Sequence, residues 1–186
     1  MQKEFELLLA ACRENNKQKV QEYLDLSEDD HEWFIQACEA ANYNHKIIAL
    51  LLKNPNIDPM VFINTKEDTL LTCAITEGDR KLVKVLLADH RVDPMGNTVN
   101  LACKYGDHKM LKLLLSDKRI RDLINVWKLI HKCLKDDNNC RLDCIPVLLD
   151  HCADEIYEEE IIALRKLIDA VGSLRHRFKV IVKLFE

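Results

Sequence analysis

Thr69-Leu-Leu-Thr-Cys-Ala-Ile-Thr-Glu-Gly-Asp-Arg-Lys-Leu-Val-Lys-Val-Leu-Leu87 decides the fold of this chain, because it occurs again 28 residues later. The second copy is Asn97-Thr-Val-Asn-Leu-Ala-Cys-Lys-Tyr-Gly-Asp-His-Lys-Met-Leu-Lys-Leu-Leu-Leu115. Each copy places a small residue in a first helix, then Gly-Asp, then a second helix ending in a Leu pair. In the second helix of the first copy, apolar residues fall at 82, 83, 85, 86 and 87, a helical stripe wide enough to be covered from two sides. Leu86, Leu87, Leu114 and Leu115 are therefore predicted core residues. A unit this short cannot bury its apolar face alone, so repetition implies a stack of units.

Working outward, Ala11-Cys-Arg-Glu-Asn-Asn-Lys-Gln-Lys-Val-Gln-Glu-Tyr-Leu24 aligns without a gap on residues 102 to 115, with Asn15 in the place of Gly106. Gly and Asn both tolerate a left-handed backbone, which suits a helix end. A further copy runs from Ala37 to Leu52, aligned from His45 onward and carrying extra residues before it. The tails repeat as well. Asn54-Pro-Asn-Ile-Asp-Pro59 answers Asp89-His-Arg-Val-Asp-Pro94, and Asp117-Lys-Arg-Ile-Arg-Asp122 is a weaker echo. The prolines are expected to stop the second helices. A fifth unit is predicted up to Leu149. The repeats then cover 5–28, 33–59, 68–94, 97–122 and 126–152, a stack over residues 1–152. Sustained alternation and Asn-Gly turns are absent, so the expected class is all-α.

These units resemble ankyrin repeats. The family pattern is a Thr-Pro-Leu-His turn, a first helix with Ala pairs, Gly-His, and a second helix ending in Leu-Leu. Thr69-Leu70-Leu71-Thr72-Cys73-Ala74 and Gly78-Asp79 occupy those slots here. Thr-Pro-Leu-His is intact in none of the units, and Asp79 and Asp107 replace the family's His. The spacing is irregular, 35, 28 and 34 residues between successive Leu-Leu ends, against a family norm of about 33. The resemblance implies an ankyrin-type helical repeat solenoid of five units.

Residues 153–186 depart from the repeat. Glu155 to Val171 reads as an amphipathic helix with acidic first turns, and Leu174 to Phe185 as a second helix carrying Arg175, Arg177, Lys179 and Lys183. Open solenoids need an end that covers their last core face, so these are expected to be C-terminal capping helices. Docking on a partner is the functional alternative.

Composition narrows the function. With 27 Lys and Arg against 31 Asp and Glu, the net charge of -4 gives no drive toward nucleic acid or an anionic membrane. There is no apolar run long enough to span a membrane. The opening Met1-Gln-Lys-Glu-Phe-Glu is neither a secretory signal nor a transit peptide. Four of the eight cysteines, Cys12, Cys38, Cys73 and Cys103, sit beside Ala in first helices, where a small buried thiol substitutes for Ala. Reduced core thiols point to the cytoplasm, or the nucleus. Cys133, Cys140, Cys144 and Cys152, with His131 and His151, are numerous enough for a zinc site. They lack the Cys-x2-Cys pair that such sites usually show, so no metal or other cofactor is expected. The chain also lacks Gly-x-Ser-x-Gly, a phosphate-cradling Gly-rich loop and His-Glu-x-x-His, so no catalytic residues are assigned.

The expected function is a protein-interaction module or adaptor, monomeric on its own. In the ankyrin family, partners are held by finger loops and by the exposed ends of first helices on the concave face. Carried over by alignment, those positions are Arg13 and Glu14, Asn42 and Tyr43, Lys66 and Asp68, Thr76 and Glu77, Lys104 and Tyr105. Tyr is an effective anchor because it buries area at low entropy cost. Met60, Val61, Phe62 and Ile63, in the finger between Pro59 and Thr69, which is longer than its Met95-Gly96 counterpart, form an apolar cluster that either folds under the stack or meets a partner. Two other readings stay open. Leu86-Leu-Ala-Asp-His-Arg-Val-Asp-Pro94 resembles the phrasing of ankyrin arrays from amoebae and their parasites, which suggests an effector, made by an intracellular microbe or a large virus, acting on host proteins in the host cytosol. The C-terminal Cys and His residues leave room for an enzyme-associated or zinc-binding protein.

Overall fold

A computed structural model describes residues 2–24, 31–63, 68–94, 97–126, 128–130 and 144–152. The chain divides into two compact units, residues 1–94 and 95–186. The described residues are mostly helical and include no strand; one isolated bridge pairs Phe62 with Thr69. The expected capping helices of 153–186 lie outside the described residues.

The N-terminal unit is built from three helix hairpins: α1 (Gln2–Arg13) with α2 (Lys17–Leu24), α3 (His31–Ala40) with α4 (His45–Leu51), and α5 (Leu70–Thr76) with α6 (Arg80–Ala88). First helix lies on first helix where α1 meets α3, and second on second where α2 meets α4 and α4 meets α6. The core is what the small-residue pattern demands. Ala11, Cys12, Ala37, Cys38 and Ala74 are buried on the first helices, against Val20, Ile48, Leu51, Val83 and Leu86 of the second. Phe34 is fully buried, edge-on to Trp33 at 6.4 Å between ring centroids.

The C-terminal unit repeats the hairpin as α7 (Thr98–Tyr105) and α8 (His108–Leu115), followed by α9 (Lys118–Leu123) and α10 (Ile145–Cys152), both packed on α8. Val99, Ala102, Cys103, Met110, Leu111 and Leu114 are fully or almost fully buried. Leu86 and Leu115 are buried as expected, but Leu87 is only half-buried. The buried stripe of α6 runs through Leu82, Val83 and Leu86, and Leu87 lies one helical step (about 100°) beyond Leu86.

One turn design closes all four hairpins. The first helix ends on a left-handed residue: Asn15 (φ 52°), Asn42 (φ 48°), Gly78 (φ 74°) and Gly106 (φ 67°). Paired reverse bonds satisfy the last carbonyls, such as Gly106 N–H to Cys103 and Asp107 N–H to Ala102, repeated by Gly78 to Ile75 and Asp79 to Ala74. The next Asx side chain caps the second helix. Asn16 accepts from Lys19 N–H, Asn44 from Lys46, Asp79 from Lys81 and Leu82, and Asp107 from Lys109 and Met110. Gly106→Ala should lower unfolding free energy by roughly 1–2 kcal/mol, the cost of a Cβ in this conformation. Gly106→Asn should recover part of it, and denaturant titration of the two variants checks this.

The tails share a second device. Asn54, Asp89 and Asp117 each accept, through Oδ1, the N–H two residues on, at 2.9, 3.0 and 2.9 Å. Ile57, Val92 and Ile120, three residues on from each, are buried. Asp117 thus forms as complete a turn as Asp89. The turns, not the prolines, end the helices: α6 stops at Ala88, well before Pro94, with Asp89 already extended (φ -86°, ψ 120°).

Candidate functional site

Of the ten residues assigned to the partner surface, nine lie within the described residues; Lys66 lies outside them. Eight follow from the hairpin turns. Arg13 ends α1 and Glu14 follows it. Both are exposed, and Glu14 pairs with Lys19 Nζ at 3.6 Å across the turn. Thr76 ends α5, its hydroxyl donating to the Thr72 carbonyl at 2.9 Å, and Glu77 follows, exposed. Lys104 and Tyr105 end α7. The Lys104 ammonium sits 5.8 Å from the centre of the Tyr105 ring, which is 44% exposed.

Tyr43 and Tyr105 do not occupy the same place. Tyr105 precedes the left-handed Gly106, as Glu77 precedes Gly78 and Glu14 precedes Asn15. Tyr43 follows the left-handed Asn42 and is itself left-handed (φ 55°). A bulky residue in this region is strained by roughly 1–2 kcal/mol. The extra residue of the second repeat is absorbed here. Its result is a half-buried Tyr43 where the other turns leave a polar residue. Burial, then Glu39 and the thiols of Cys38 and Cys73, push the Tyr43 phenol above its ordinary range.

Asp68 stands at the start of the third repeat. Its carbonyl accepts from Ile63 N–H at 2.9 Å, closing the base of the finger between Pro59 and Thr69. Beside it, Thr69 and Thr72 form a reciprocal capping box that starts α5, with Thr72 Oγ1 accepting from Thr69 N–H at 2.9 Å. Phe62 is 52% exposed, while Met60, Val61 and Ile63 are half-buried, so the finger's apolar cluster is divided between cover and solvent. Cys73 of α5 therefore lies within electrostatic reach of Asp68, of Glu77 and of Tyr43. Lys104 and Tyr105 belong to the C-terminal unit.

Cys12, Cys38 and Cys73 are poor nucleophiles. Cys12, Cys38, Cys73, Cys103 and Cys144 are free. Burial pushes the Cys12 thiol up to about 11 and Cys38 higher still, while Cys73 is raised by burial and then by Asp68 and Glu77. A protonated, enclosed thiol reacts slowly. Cys144 Sγ–H points to the Cys103 carbonyl at 3.9 Å. Of the other residues considered as zinc ligands, His131, Cys133 and Cys140 lie outside the described residues. Among those described, no group of three or more His, Cys, Asp or Glu is placed to hold a metal ion. No helix there is long and apolar enough to cross a membrane. In native protein a thiol reagent should label half-buried Cys73 before Cys12, Cys38, Cys103 or Cys144. After denaturation without reductant it should count all eight thiols. Rapid native labelling of Cys38, or a count of six or fewer, would contradict this.

Compared with protein-family models, with curated proteins and with solved structures, the chain matches none.

Proposed function

We propose that the chain is a non-catalytic, monomeric protein-interaction module, an ankyrin-like stack of helical hairpins that holds a protein partner through its first-helix ends and fingers. The observation that carries this reading is the turn design itself. Four hairpins share the left-handed end and the Asx cap, while the residue before the left-handed position varies freely: Glu14, Ala41, Glu77, Tyr105. A constant scaffold with a variable, mostly exposed edge is what recognition requires of a repeat. Buried, protonated thiols suit a reducing compartment, cytosol or nucleus.

The test starts from the full chain, immobilised to capture and identify a partner. Tyr105→Ala should then weaken binding by roughly 1–2 kcal/mol with the melting temperature unchanged, as for an exposed anchor. Lys104→Glu should act on association rate and its salt dependence, because rim charges steer encounter more than they hold the complex. If both variants bind like the parent, and removal of 154–186 abolishes binding while the hairpins stay folded, the C-terminal segment carries the function instead.

A further inference from the structure

The second helices of the N-terminal unit carry a feature that neither the hairpin scaffold nor the first-helix edge uses. Between α4 and α6 runs an open groove of about 590 Å³, with Ala49, Leu52, Pro55, Val85 and Ala88 among its lining and apolar area predominating. Small side chains at 49 and 88 leave it concave. Lys53, His90 and the Asp89–Arg91 pair also line it. Further cations stand at helical spacing from its small residues: Lys46 from Ala49 on α4, and Lys84, then Lys81, from Ala88 on α6. All four lysines and His90 are exposed.

The carboxylates around the groove are already engaged or face elsewhere. Neither α4 nor α6 contains an acidic residue. Asp79 caps α6, Asp58 accepts from Met60 N–H at 2.8 Å, and Asp89 is held by Arg91. The neighbouring second helix α2 carries one acid, Glu22. Helix formation does not ask for Lys46 or Lys81. Arg80 and Lys81 lie in the first turn of α6, and Lys46 in that of α4, at the positive end of the helix dipole, where a cation is disfavoured. In a chain of net charge -4, this is a local concentration of the opposite sign.

We propose that the α4–α6 groove is a second docking surface, and that its occupant is an acidic protein segment. Apolar side chains of that segment fill the groove while its Asp and Glu residues meet Lys46, Lys53, Lys81 and Lys84. The apolar floor selects against a bare polyanion, and the lining has no Phe, Tyr or Trp on which a nucleobase would stack. The proposal rests on the chain being a binding module but not on the first-helix edge being the surface used.

Fluorescence anisotropy with the full chain tests it against four labelled probes: a short Glu/Leu peptide, its Lys/Leu counterpart, polyglutamate and a single-stranded oligonucleotide. The Glu/Leu peptide should bind at least about tenfold more tightly than the other three. It should weaken strongly toward 1 M salt, where the screening length falls to about 3 Å. Lys84→Glu, at an exposed position, should weaken it about tenfold, and Ala88→Glu, on the groove itself, at least as much. Tyr105→Ala should leave it unchanged. Equal binding of polyglutamate or of the oligonucleotide would overturn the groove, as would indifference to both Lys84→Glu and Ala88→Glu. Loss of peptide binding on Tyr105→Ala would move the peptide to the first-helix edge, sinking this proposal and keeping the module. A protein partner that binds and responds to Tyr105→Ala, with no peptide binding at all, would do the same.

Discussion

Leu114→Ala should lower the unfolding free energy of the full chain by about 2–5 kcal/mol, the range for emptying a leucine site in a core. Leu114 is fully buried on α8, the helix on which α7, α9 and α10 all pack. No single neighbour can move in to fill the space without uncovering another, so the cavity persists. Leu87→Ala is the control. The same change at a half-buried position off the stripe of α6 should cost clearly less. Denaturant titration by circular dichroism reads both. A loss below about 0.5 kcal/mol at Leu114, the range of surface changes, would mean that the helix register is wrong.

Arg91→Ala should cost about 2–4 kcal/mol, although Arg91 belongs to a tail and not to a helix. Its Nε and Nη2 fork the Asp89 carboxylate at 3.0 and 2.6 Å. The remaining donors reach back to the preceding tail: Asn54, Pro55 and Ile57 carbonyls at 3.1, 3.0 and 2.8 Å, and Leu52, at the end of α4, at 2.6 Å. Hydrogen bonds to a charged donor are worth about 1.5–3 kcal/mol each and do not add. Partial exposure of the guanidinium, 23%, keeps the total below that of a fully buried pair. Arg91→Lys should not rescue, because an ammonium cannot fork a carboxylate and span four carbonyls together. The effect should depend on pH in one direction. Arg91 holds the Asp89 carboxyl below its ordinary range, chiefly by side-chain hydrogen bonding. A carboxyl depressed in the folded state stabilises above its unfolded pKa, about 3.9, and loses that contribution as pH falls through the folded value. The gap between parent and Arg91→Ala should therefore be full at pH 7 and shrink below about pH 4. A gap that widened in acid would contradict the fork.

The residues that made the fold legible are those whose chemistry is local. Gly78 and Gly106 announce a left-handed turn, and Ala or Cys the crowded face of a first helix; the caps made by Asp79 and Asp107 came only from the structure. Both signals can be read within one hairpin. What else the sequence reading missed is set by distance. Arg91 joins carbonyls more than thirty residues away, and a lone Arg in a tail gives no sign of it. Tyr43 looked like the partner of Tyr105 because both lie near the end of a first helix; only the extra left-handed residue shows that they point from different steps of the turn. The α4–α6 groove was hidden because its two walls come from different repeats. Lys46, Lys81 and Lys84 read singly as solvated helix residues. The edge positions Arg13, Glu14, Thr76, Glu77, Lys104 and Tyr105 were legible as exposed, since they flank the turn, but exposure alone names no partner.

Hydrogen exchange on the full chain, free and bound to the captured partner, tests the central claim most directly. If first-helix ends and fingers hold the partner, amides should gain protection around residues 13–15, 42–44, 62–63, 68–69, 76–78 and 104–106, while α2 and the interior of α8 exchange as before. Protection confined to other segments, with those turns exchanging at their free rates, would contradict it.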